Sequence, residues 1–219
     1  MTQKKRLFSA AVSAVIFIME FLPWYQMYTQ TNRYAFMLRF VSELKYFTTD
    51  SNLLMGIAAL IHLFFSAEVL LGMRKKVPGW VKLFFYMMTT ALFLTFGMVM
   101  VYLGPMFGYG KMLEKTSLYF HLIIPLLSIF SMCMLHRDRR LSLRDSFLAL
   151  IPLFLYGIYY LGMIRRYGVR SSRTDWYRLA SGGKIRSSFV FLLIVVCTWG
   201  GALLIRLAVN GGSGKQNAV

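Results

Sequence analysis

Six apolar blocks in series constrain this chain more than anything else in it. They run Leu7–Tyr28, Phe47–Met73, Trp80–Phe107, Ser117–Leu135, Ser146–Ile164 and Ser187–Val209. A helix of about 17–25 apolar residues crosses a bilayer, and every block reaches that length. One such run fits a buried soluble core; six do not. Hydrophobic residues make up 58% of the 219 positions and charged residues 15%, against about 45–50% and about 25% in a soluble domain. The expected fold is all-α: a polytopic membrane protein with six transmembrane helices over residues 1–209. A flexible polar tail is expected over 210–219.

The net charge of +17 would suggest nucleic acid in a soluble protein. Here the basic residues gather between the apolar blocks, so their expected partners are anionic lipid headgroups, with no nucleic acid. Cys133 and Cys197 lie inside blocks and there is no Cys-x-x-Cys. That excludes a disulfide framework and leaves no zinc pattern. The third block is rich in Met, Phe and Thr but repeats no ligand-type residue at helical spacing. No metal and no cofactor are expected.

Lys4, Lys5 and Arg6 precede the first block as in a signal peptide, but no small-x-small cleavage site follows. The block continues past Glu20 to Trp24 and Tyr25, which read as interfacial anchors of a retained span. Glu20 is either a paired or protonated acid near the interface or part of a site. His62, inside the second block, reads as a hydrogen-bonding partner for a neighbouring helix. Dense clusters at Arg74–Lys76 and Arg137–Arg144 occupy short loops, where the positive-inside bias acts most strongly. They place both termini in the cytoplasm. The last connection breaks that pattern with seven basic residues. Arg165, Arg166, Arg170 and Arg173 are candidates for holding an acidic head group, with contact to anionic lipid as the alternative.

The polar stretch Lys45-Tyr46-Phe47-Thr48-Thr49-Asp50-Ser51-Asn52 opens the second block. Polar groups at the mouth of a span mark a functional hypothesis. Its partner is His121, at the head of the fourth block. In a six-span chain the second and fourth blocks run the same way, so Thr48 and His121 lie toward one face. Thr48, Asn52, Met55 and Ala59 share a helical stripe by i+3/i+4 spacing; Asp50 points elsewhere unless the helix begins after it. Depth argues against the pairing. Thr48 lies 26 residues before Arg74, whereas His121 lies 16 before Arg137. At about 1.5 Å per residue the offset is roughly 15 Å. Tilt, a bend at Pro125, or an extension of one helix past the membrane has to absorb it. The chemistry would be nucleophilic acyl transfer: a threonine hydroxyl needs a base, and neutral His121 can serve. Glu20 or Asp50 would orient the imidazole, with Asn52 beside them.

Lys45-Tyr46-Phe47-Thr48, then Asn52-Leu53-Leu54, then His121 with Pro125, resembles the androgen-induced gene family of integral membrane threonine hydrolases. The layout is closer still to related bacterial six-pass membrane proteins. The resemblance implies a bacterial plasma membrane and a lipid ester substrate of the fatty-acyl class. It also implies Thr48 as nucleophile and His121 as its histidine. Thr49 is the alternative aligned residue. The family's segment before the last span is represented by Asp175-Trp176-Tyr177. Two other classes compete: a non-enzymatic transporter or lipid-binding protein with a polar site between helices, and a structural partner within the membrane. A transport path needs polar groups through the full thickness, linking His62 and Glu68 to the outer cluster; an esterase needs only that cluster and an apolar pocket.

Overall fold

The computed structural model describes residues 3–136, 140–169, 174–180 and 184–211. Among these there are helices and no strand. Six helical stretches are long and apolar enough to cross a membrane: Gln3–Gln30, Phe47–Leu70, Gly79–Phe107, Thr116–Leu135, Leu143–Tyr167 and Ser187–Gly211. Each coincides with one of the six blocks, so the chain is an all-helical, multi-pass integral membrane protein. The last helix runs through Gly211; residues 212–219 of the expected tail lie outside the described residues.

In chain order the helices are α1 (Gln3–Gln30), α2 (Arg33–Glu43), α3 (Phe47–Leu70) and α4 (Gly79–Met98), with α5 (Gly104–Phe107) continuing α4. Then come α6 (Tyr109–Met112), α7 (Thr116–Leu118), α8 (Ile124–Leu135), α9 (Leu143–Leu148), α10 (Ile151–Tyr167) and α11 (Lys184–Gly211). α1, α3, α4 and α8 pack on one another at the centre, α11 closes against α4 and α8, and α10 leans on α4. Their shared core contains Ile16, Met55, Phe85, Leu92, Ile124 and Met132, all at most 2% exposed. Large apolar side chains such as Phe64, Leu155, Ile158, Leu204 and Leu207 point outward, as a lipid-facing surface requires.

Small residues set the closest approaches. A Cβ on Gly56 would lie 2.7 Å from the Phe21 ring and 3.0 Å from Glu20 Cβ, so α1 and α3 meet there nearly backbone to backbone. Tyr86, fully buried, donates to the Ala202 carbonyl at 2.7 Å and ties α4 to α11. Thr89 and Thr90 satisfy their hydroxyls on the carbonyls of Phe85 and Tyr86, one turn back. The fifth span is interrupted between α9 and α10. Ser142 and Asp145 form a capping box at the start of α9, and Pro152, which has no N–H, restarts the helix as α10.

Two π-helical turns interrupt the regular helices, at Val99–Leu103 and Tyr119–Ile123. Each is followed two residues later by a proline, Pro105 or Pro125. A proline cannot bond to the carbonyl four residues back. That carbonyl belongs to Val101 in one case and His121 in the other, the middle residue of each π turn. The connection between the first two spans contains the helix α2. Asn32 caps it by accepting from Ala35 N at 2.8 Å.

Candidate functional site

At the face of the bundle opposite Gln3 and Gly211, α1, α2, α3 and the stretch before α8 enclose an open cavity of about 720 Å³. Thr48, Thr49 and His121 all line it. Apolar walls come from Trp24, Leu103, Phe107 and Phe120, and charge from Arg39, Glu43 and Lys111. Trp24 sits edge-on to Phe40 with centroids 5.1 Å apart and lies over Phe120 at 6.3 Å. This is how α2 caps the mouth.

The depth offset that argued against pairing Thr48 with His121 disappears in the fold. The His62 and His136 rings lie against each other, tilted by 38° with centroids 4.3 Å apart, so they mark a common level. Thr48 lies fourteen residues before His62, and His121 fifteen before His136. α3 simply continues past that level to Leu70, and Arg74 lies beyond it, in an ion pair with Glu68 at 2.6 Å. The two charge clusters sit at different heights, and counting from them misjudges depth.

Asn52 joins the two functional helices. Its amide nitrogen donates to the Thr48 carbonyl at 2.7 Å and to the Phe120 carbonyl at 3.2 Å. The residue before His121 is thereby held against the first turn of α3. His121 Nδ1 lies 2.6 Å from the Met112 carbonyl. A carbonyl only accepts, so Nδ1 carries the proton and Nε2 keeps the lone pair. That is the tautomer a general base needs, and the π turn sets the ring's direction.

Asp175-Trp176-Tyr177 folds back over the start of α3. Trp176 Nε1 donates to the Tyr156 hydroxyl at 2.9 Å, and Tyr156 donates to the Lys45 carbonyl at 2.7 Å. Tyr160 donates to Asp175, which also accepts from Ala180 N at 3.1 Å. The Tyr177 hydroxyl accepts from Phe47 N at 2.9 Å and contacts the Thr48 side chain. Burial pushes the Tyr177 phenol up to about 12, so it stays neutral and able to donate. Tyr177 belongs to the site, and sequence reasoning missed it as a site residue. Its one signal was the adjacent Trp-Tyr pair in a loop dominated by basic, hydroxyl and small residues.

Other expected site residues fall elsewhere. Asp50 is on α3, off the stripe that Thr48 and Asn52 share, and does not line the cavity. Glu20 is 1% exposed, packed beside Gly56 below the cavity. Arg165 and Arg166 end α10 away from the cavity walls, with Arg166 over the Tyr167 ring. Arg170 and Arg173 lie outside the described residues. The cations at the cavity are Arg39 and Lys111. Among the described residues there is no group of three or more His, Cys, Asp or Glu able to hold a metal.

Below the cavity runs a seam of buried polar atoms without a hydrogen-bond partner: Asn52 Oδ1, both Glu20 oxygens, and the hydroxyls of Ser128 and Ser131. Ser13 donates to or accepts from His62 Nδ1 at 2.9 Å further down, near Ser9 and His136, which are again unpartnered. These residues recur at helical spacing on the facing stripes of α1, α3 and α8. Compared with family models, curated proteins and solved structures, the chain matches none.

Proposed function

We infer that this protein is a membrane-embedded hydrolase of lipid esters, with Thr48 as nucleophile and His121 as base. The observation that supports it most is one cavity, lined by both residues, in which His121 is held in the base-competent tautomer. The cavity is large enough for an acyl chain, its walls are mostly apolar, and cations stand at its rim. In the first step Thr48 Oγ1 attacks the ester carbonyl and its proton passes to His121 Nε2. The carbonyl electrons go onto oxygen, with the neutral Tyr177 hydroxyl beside Thr48 as a donor. The C–O bond to the alcohol breaks as His121 returns the proton to it. Water then attacks the acyl-threonine, His121 takes its proton, and the fatty acid leaves as Thr48 regains a hydrogen. The cytoplasmic placement of both termini, which sets the cavity outward, belongs to the same proposal. So does a bacterial plasma membrane as its location.

A fluorophosphonate probe applied to intact membranes tests this reading. Labelling should map to Thr48 and vanish in Thr48→Ala but not in Thr49→Ala. Labelling that persists in Thr48→Ala, or never occurs, removes the nucleophile.

The seam supports a second reading, passage of protons between the two faces. Unpaired buried polar groups cost about 1–3 kcal/mol each, and water or a moving proton would satisfy them. Glu68 takes no part, since it pairs with Arg74. Proton flux into proteoliposomes under an imposed potential should fall in Glu20→Gln if this reading holds. Equal flux in protein-free vesicles ends it.

A further inference from the structure

The helix between the first two spans carries an apolar face that the bundle leaves uncovered. Along α2, Tyr34, Met37, Leu38 and Val41 recur at i, i+3, i+4 and i+7, the spacing of one helical stripe. Each is at least 50% exposed. Phe36 and Phe40 turn away from the stripe and hold α2 against α1. Arg39 and Glu43 also lie off the stripe, and both line the cavity around Thr48. One side of α2 therefore faces the cavity, and the side across from it faces whatever surrounds the bundle.

The aromatic contacts fix where that outer side sits. Tyr28 meets Phe36 with ring centroids 5.4 Å apart, and Trp24 meets Phe40 at 5.1 Å. One turn further along α2, the contact on α1 is one turn further back. The chain has reversed at Thr31 and Asn32, and α2 runs back beside the last turns of the first span, toward the membrane. Val41 is thus deeper than Tyr34. Trp24, level with Phe40, is of the type that gathers at headgroup depth. Tyr28 also ends a stripe of α1 formed by Val15, Ile18, Leu22, Tyr25 and Tyr28, all at least 46% exposed. On a spanning helix such a stripe is turned to lipid. Phe36 packs against its end, so the uncovered face of α2 adjoins a surface that lipid already covers. Lipid takes apolar surface out of water, and it asks nothing of a helix that bonds its own backbone.

We propose that α2 is a re-entrant amphipathic helix. Its Tyr34, Met37, Leu38 and Val41 stripe lies in the leaflet on the cavity's side, deepest at Val41, and the partner of that face is membrane lipid. α2 is then the wall between that leaflet and the cavity. The inference is independent of the chemistry at Thr48 and His121.

The test uses the full chain in nanodiscs of phosphatidylcholine and phosphatidylglycerol, with Cys133→Ala and Cys197→Ala. A nitroxide label is attached in turn at Tyr34→Cys, Leu38→Cys and Val41→Cys. Leu22→Cys, on the stripe of α1, is the lipid reference, and Thr31→Cys, at the reversal, is the water reference. Accessibility to oxygen, which concentrates in lipid, is divided by accessibility to a water-soluble nickel chelate. The ratio should rise from 34 to 41, coming close to that at Leu22→Cys and several-fold above that at Thr31→Cys. Ratios at the Thr31→Cys level for all three would place the stripe in water. An even ratio from 34 to 41 would remove the re-entrant course, and labels reached by neither reagent would show a protein partner or a second copy instead of lipid. Each of these overturns the proposal. A benzophenone amino acid at Val41, in the chain with both cysteines kept, gives an independent readout. Irradiation should add the mass of one phospholipid; an adduct with another protein chain, or none, counts against lipid.

Discussion

The start of α3 is capped from 130 residues away, and removing that cap has a calculable local cost. Tyr46, at the N-cap position, makes no side-chain bond to the first turn. The first-turn N–H groups of any helix lack intrahelical partners. Phe47 N finds its acceptor in the Tyr177 hydroxyl at 2.9 Å. Tyr177→Phe keeps the ring, and with it the packing against Tyr46 and Tyr160, but deletes the acceptor. Phe47 is 9% exposed, so water does not readily replace it. An orphaned buried N–H costs about 1–3 kcal/mol, and each 1.4 kcal/mol or so is tenfold in an equilibrium. Hydrogen exchange at Phe47 and its neighbours should therefore quicken roughly 5- to 150-fold, the range about 1–3 kcal/mol spans. The assay is hydrogen exchange by mass spectrometry in micelles, comparing a peptide over 45–51 with one over 54–61. The second peptide should not change, because the middle of α3 is packed against α1 and α4. Fluorophosphonate labelling of Thr48 should slow in the same variant. Unchanged exchange at the start of α3 would refute the capping argument, and equal acceleration along the whole helix would show a global rather than a local effect.

Other outcomes follow from the same geometry. Thr48→Ala and His121→Ala should each lower ester hydrolysis by about 10²-fold or more, and the double variant should be no worse than the poorer single one, since the pair acts as a unit; additive losses measured as kcat/KM would separate them. Gly56→Leu should cost about 1–3 kcal/mol by overpacking against Phe21 and Glu20, seen as a lower Tm in micelles; a wild-type Tm would mean that α1 and α3 can part freely. Burial, then the charges of His62 and Lys82, hold the His136 imidazole well below its ordinary 6.5. As pH falls below that value the unfolded chain takes up a proton that the folded chain refuses, so stability is full above it and declines below it. His136→Gln should flatten that decline in a series of Tm against pH.

The six spans were legible because membrane solvation acts on one segment at a time. A run of apolar residues long enough to cross, such as Phe47–Met73, is visible without knowing its neighbours, and the observed helix bounds fall within a few residues of the blocks. The shared face of Thr48 and His121 was legible for a similar reason: span count alone decides which ends lie together. Their depth was not, because charge clusters report where the chain leaves the bundle, and α3 leaves it well past the level at which α8 ends. Only packing, through the contact of the His62 and His136 rings, levels the two helices. Tyr177 was equally out of reach, since a hydrogen bond between residues 47 and 177 depends on how a loop folds back and not on anything local to either. The same holds for Ser9 and His136, each an ordinary polar residue in its own stretch, which only the tertiary structure takes out of water side by side.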